Sequence, residues 1–213
     1  VTLTARTLSD AMRIGEQAAA IWVDHVNAAL KRCGCETREQ VAQWIAQVGH
    51  ESAGLTRMVE SLDYSAEALA ATWPTRFTLA SAALIGRTHG APAKQRQIAE
   101  RVYGGRLGNV NPGDGWTYRG RGPIQITGRE NYEKCGAYLG VDLIAHPDLL
   151  ELRSTGALST AWYWHERGIA AMGGDVDRAT RAINGGTHGI DDRRARYVRA
   201  LAVLGGGELR RVS

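Results

Sequence analysis

Apolar residues recur at helical spacing along most of the chain. Between residues 9 and 32, Ile14, Ala18, Ile21, Trp22, His25 and Ala29 fall roughly on one face, which predicts one broken helix or two. CGCE at 33–36 breaks the pattern. TREQ at 37–40 then reads as a capping box, with Thr37 capping the backbone and Gln40 reaching back. It opens a helix with Val41, Trp44, Ile45 and Val48 on its apolar face and Gly54 as its stop. Ser65 caps a short helix through Ala71, Pro74 ends that region, and 78–86 is a further short apolar stretch. Pro92 fits the first turn of a helix running to Tyr103. Residues 104–123, GGRLGNVNPGDGWTYRGRGP, are rich in Gly, Asn, Asp and Pro and read as a long loop. IQIT at 124–127 reads as a short strand or extended piece. Helical patterns resume at 129–139, 154–167, 176–183 and 191–204. The prediction is a mainly α fold in one unit, with at most a small β element near 118–127.

Two carboxylates interrupt this scheme. Glu51 lies three residues after Val48 and seven after Trp44, so a helix places it on the face of those core residues. Burial there disfavours its charged form, and so does the negative end of the helix dipole. A glutamic acid kept protonated is what a general acid needs. The competing reading is a glutamate at the edge of the face that reaches solvent. Glu60 follows in the polar segment RMVESLDYS, where a more solvated carboxylate stays ionised and can act as a base. Two carboxyls in different environments form the pattern of glycosidic bond cleavage. Asp63 competes with Glu60 for the role of base.

The long loop is an expected functional segment, because long loops in compact domains tend to carry function. WTYRGRGPIQITGRENY at 116–132 combines aromatic rings such as Tyr118 with amides and a hydroxyl. Gln125, Thr127 and Asn131 are spaced as in an extended segment entering a helix, and all three could face one cleft. Sugar hydroxyls need such donors and acceptors, and apolar sugar faces need rings. Each residue alone could equally stabilise a turn. Trp162 and Trp164 do not share a helical face, so at least one of them is expected in the core, as is Trp73.

Composition narrows the partners. The chain of 213 residues has 44% hydrophobic and 23% charged content, which sustains a sizeable core. Its net charge of +4 suits an anionic partner, or simply a soluble basic surface. Arg119 and Arg121 could form a phosphate-binding pair, but without a basic run nucleic acid is not an expected partner. His50-Glu51 is not HExxH, since position 54 is Gly, and no metal is expected. Cys33, Cys35 and Cys135 form no regular framework and are read as free thiols suited to a reducing cytoplasm. The first 17 residues lack the pattern of a signal peptide, and no stretch approaches a membrane span.

GHESAGL, ESLDYS, YRGRGPIQITGRENY and RAINGGTHGIDDR, in that order between residues 37 and 204, resemble glycoside hydrolase family 19. Within it they look most like endolysins of tailed phages and prophages. The resemblance implies a lysozyme-like, two-lobed helical fold with a deep cleft, one catalytic domain over 1–213, and an inverting mechanism without cofactor or metal. It makes Glu51 the general acid and Glu60 the base that activates water, with Thr127 helping to hold that water. Gln125, Asn131, Asn184 and Tyr118 become substrate-binding positions, and Arg193 the arginine that neighbours the acid. The plant members' cysteine framework and chitin-binding module are lacking. The implied substrate is therefore the peptidoglycan glycan strand, cut between N-acetylmuramic acid and N-acetylglucosamine by a monomeric enzyme. Such an enzyme is made in the host cytoplasm and reaches the periplasm through a holin-type lesion. The alternatives are a chitinase and a non-catalytic wall-binding protein of the same fold.

Overall fold

The structure is a computed structural model that describes residues 1–205. Eleven α-helices dominate it, with β structure limited to isolated bridges among the described residues. The chain divides into two compact units. The first comprises Val1–Met58, Gly122–Gln125 and the residues from Leu149, and the second comprises Val59–Arg121 and Ile126–Asp148.

The first unit holds α1 (Ala5–Met12), α2 (Glu16–Arg32), α3 (Arg38–Glu51), α9 (Arg153–Glu166), α10 (Val176–Asn184) and α11 (Ile190–Leu204). Of the expected one broken helix or two, the structure has two, and Arg13 in the left-handed region makes the break. The buried stripe of α2 is Ala19, Trp22, Val26, Ala29 and Leu30, whereas Ile21 is 49% exposed. The expected face was thus rotated, because Val26 and Leu30 outweigh Ile21 and His25 in apolar area. The capping box at Thr37 and Gln40 is present in full. Helix α11 packs on α3 and α1, and α2 packs on α9. Trp44, Ile45, Val48 and Trp164 are all but inaccessible, and Trp162 is also buried, so both tryptophans of α9 belong to the core.

The second unit holds α4 (Ala66–Thr72), α5 (Leu79–Ala83), α6 (Gln95–Tyr103), the single turn α7 (Asp114–Thr117) and α8 (Arg129–Leu139). Leu62, Leu69, Phe77, Ile98 and Val102 form its core, with Trp73 packed against them. Ser65 caps α4 as expected. Pro92 lies outside α6, which starts after Lys94. The chain before it is held otherwise: Thr88 pairs with Ala91, and the Asp63 carboxylate accepts from Ala93 N at 2.8 Å. IQIT forms no strand. Arg121 bridges Ile126, and Gln125 between them has φ +55°, a left-handed turn conformation. The alternation assumed for Gln125 and Thr127 therefore does not hold.

Candidate active site

Glu51 is the last residue of α3, where the helix stops on Ser52. The Ser52 hydroxyl donates to Val48 O at 2.6 Å and accepts from Leu55 N at 2.8 Å, satisfying groups that a helix end leaves open. Ala53, Gly54 and Leu55 all take positive φ, so the backbone turns sharply away just past the carboxylate. Glu51 itself is 24% exposed. Its surroundings are not merely apolar, as the periodicity alone suggests. The Arg193 side chain, 2% exposed, donates through Nη2 to Glu51 Oε1. A buried cation thus faces the carboxyl.

Arg193 lies near the start of α11 and is held on its other edges as well. Its Nη1 donates to Gln47 Oε1 and its Nε to His188 O at 3.3 Å. The same His188 carbonyl accepts from Asn184 Nδ2 at 2.9 Å, and Asn184 Oδ1 accepts from Gly186 N. Asn184 therefore shapes the loop that supports the arginine. His50, beside the acid in sequence, turns elsewhere: its Nδ1 meets Asp192 Oδ2 at 2.7 Å. Tyr163 donates to Ile183 O at 2.9 Å, and burial pushes its phenol upward.

Glu60 is anchored within the second unit. Its backbone N–H donates to Gly120 O at 2.9 Å. Its Oε1 accepts from Gly120 N at 2.5 Å, and its Oε2 from the Tyr103 hydroxyl at 2.7 Å. Burial, and next the negative charge of Glu60, push the Tyr103 phenol far above the ordinary tyrosine value, so it stays a donor. Glu51 thus leans on a cation, and Glu60 on two neutral donors. Asp63 is occupied by structure, taking Ala93 N on one oxygen and Arg87 Nη1 at 3.0 Å on the other.

The loop residues behave unevenly. Asn131 Nδ2 donates to Thr127 O at 2.7 Å, which ties these two together at the start of α8. Gly128 between them needs its φ of +91° and its lack of a side chain, since a Cβ would stand 2.3 Å from Leu107 Cβ. Gln125 belongs to the first unit, and its Nε2 closes its own turn on Gly122 O at 2.9 Å. Tyr118 corrects the expectation of a sugar-facing ring. It is 5% exposed, packs edge-on against Tyr132 and donates to Ile144 O, because the second unit needs that ring in its interior. Arg121 is equally buried, donating to Tyr132 Oη and Thr117 O, and Arg119 stacks on Trp116 at 4.0 Å. The arginine pair is thus structural. Sequence reasoning missed Tyr103, which carries no local signal. It also missed Gln47, whose signal was a polar residue at a core position one turn before Glu51.

Comparison with known proteins identifies the family. The sequence profile described as Chitinase class I matches residues 75–171. A glycosyl hydrolase family 19 domain-containing protein of Haemophilus influenzae is 39% identical over 180 residues, covering 84% of this chain and 86% of that protein. Acidic endochitinase Q of Nicotiana tabacum is 38% identical over 84 residues, and the match spans only 33% of the plant protein. Among solved structures, a bacterial family 19 chitinase shares the fold with a TM-score of 0.61 at 21% identity, covering 95% of this chain and 94% of that one. Chitinase C from Streptomyces griseus gives a TM-score of 0.59 at 20% identity over 95% of this chain and 76% of that one. Mainly α, chitinase-like and carrying its carboxylates on one helix end and one loop, the chain belongs to glycoside hydrolase family 19.

Proposed function

We propose that the chain is an endolysin-type inverting glycosidase that cuts the peptidoglycan glycan strand between N-acetylmuramic acid and N-acetylglucosamine. The observation that carries this reading is the unequal tethering of the two glutamates. Glu51 protonates the leaving oxygen, and Arg193 neutralises the carboxylate left behind. Glu60, held by the Tyr103 hydroxyl and the Gly120 N–H, takes a proton from the attacking water. Thr127 helps to hold that water. Asn131 and Gln125 contribute polar contacts to the sugar. Attack by water on the face opposite the leaving group inverts the anomeric centre.

Peptidoglycan is preferred to chitin because the net charge of +4 suits an anionic envelope. On this reading the two units work as one catalytic domain in a monomer. The enzyme is made in the host cytoplasm and acts in the periplasm after holin-type permeabilisation.

Mass spectrometry of digested peptidoglycan tests the proposal, read beside a digest of chito-oligosaccharides. The expected product carries N-acetylmuramic acid at the new reducing end, with inverted configuration by NMR. Release of only chito-oligosaccharide products makes the chain a chitinase. Glu51→Gln should cut turnover by about a thousandfold, within the range a general acid supplies, while the circular dichroism spectrum is kept. Full activity in that variant refutes the acid assignment.

A further inference from the structure

Gln47 is fully buried, one helical turn before Glu51 in α3. An amide at such a position is costly unless both of its ends are bonded. Here both are: Oε1 accepts from Arg193 Nη1, and Nε2 donates to Thr180 Oγ1 at 3.2 Å. Two independent neighbours demand this orientation. A guanidinium has no acceptor, so only the amide oxygen can face it. Thr180, also fully buried, commits its own proton to Val176 O at 2.7 Å, four residues back along α10, and so offers Gln47 a lone pair. Val176 O, 3.4 Å from Gln47 Nε2, is a second acceptor at the same end, so a hydroxyl and a helix carbonyl of α10 together fix the direction of the amide.

The guanidinium is a rigid planar fork, so pinning two of its nitrogens aims the third. His188 O holds Nε and Gln47 Oε1 holds Nη1, which leaves Nη2 pointed at Glu51 Oε1. We propose that Gln47 and Thr180 are positioning residues, forming a relay from α10 through α3 that sets where the Arg193 charge stands against the Glu51 carboxyl. This rests on Glu51 being the acid, as read above. The relay touches no substrate. Its effect is to keep the cation in place at the moment Glu51 gives up its proton, so that no reorganisation is needed then.

Thr180→Val keeps the shape of the side chain but removes the nearer of the two acceptors that orient the amide, leaving only the longer contact to Val176 O. It should lower kcat about tenfold with KM unchanged within about twofold, and Thr180→Ser should restore kcat. Gln47→Glu sets a second carboxylate against Arg193 and competes with Glu51 for it. In both Thr180→Val and Gln47→Glu the basic limb of the rate–pH profile should move to higher pH by about half a unit or more, since a less well compensated carboxyl holds its proton longer. The decisive readout is a ¹³C NMR titration of the Glu51 side-chain carboxyl, assigned with Glu51→Gln and independent of turnover. A raised Glu51 midpoint with unaltered turnover keeps the relay and removes Glu51 from the acid role. An unmoved midpoint in both variants, with the fold intact by circular dichroism, overturns the relay whatever the activity does. If Gln47→Glu does not fold, Thr180→Val and its serine rescue decide alone.

Discussion

Gly120 meets Glu60 twice. Its carbonyl accepts from the Glu60 backbone N–H at 2.9 Å, and its own N–H donates to Glu60 Oε1 at 2.5 Å. Main chain therefore holds one carboxylate oxygen, in a way that few substitutions can alter. The other oxygen depends on Tyr103.

Tyr103→Phe isolates that second contact. It removes one hydrogen bond to a charged group, worth roughly 1.5–3 kcal/mol, and leaves the ring in place. The expected result is a drop in kcat of about ten- to a hundredfold with a small change in melting temperature. Initial-rate kinetics on purified peptidoglycan check it.

Arg193→Lys keeps the charge at the buried site but loses the fork. A single ammonium does not reproduce the planar contacts with Glu51, Gln47 and His188. Turnover should fall about a hundredfold or more. Stability should drop by about 1–3 kcal/mol, because at least one buried partner is left unbonded. Urea unfolding reads the second number.

Asp63→Asn separates structure from catalysis. The Ala93 N–H, and then Arg87, hold the Asp63 carboxyl below its ordinary value of 3.8. A depressed carboxylate contributes stability that is fully present above that ordinary value and is lost as pH falls through the folded one. The variant should therefore be less stable at neutral pH, and the gap to the wild type should close as pH falls below about 4. Melting curves over that range check the sign. Turnover at neutral pH should stay within about twofold; collapse would make Asp63 the base instead of Glu60.

All three cysteines are buried and free. Burial pushes the Cys135 thiol up to about 12, which leaves a thiolate fraction of about 10⁻⁴ at pH 8. An aromatic disulfide reagent should count no thiols in the native protein and three after unfolding. Rapid native labelling would place one of the thiols at an opening not seen in the fold.

Local order was largely legible in the sequence. The helix expected at 129–139 is α8, Arg129–Leu139, and both Thr37 and Ser65 cap as read. These features depend on neighbours a few residues apart, where spacing and side-chain chemistry suffice. The misreadings have one physical origin. Gln125 takes a left-handed conformation that alternation cannot reveal, and Tyr118 is drawn inward by Tyr132 and Ile144. The partners of the carboxylates are more distant still. Tyr103 stands 43 residues from Glu60, and Arg193 stands 142 from Glu51. Spacing gave no access to the first pair, and the second came only through the family resemblance.

The first unit is assembled from both ends of the sequence, with α11 lying on α1 and α3. Translation delivers Glu51 well before its arginine, which lies 142 residues further along. A nascent polypeptide stalled before residue 190 therefore carries the glutamate without its counter-charge, and the ion pair closes only after 142 further residues have followed Glu51.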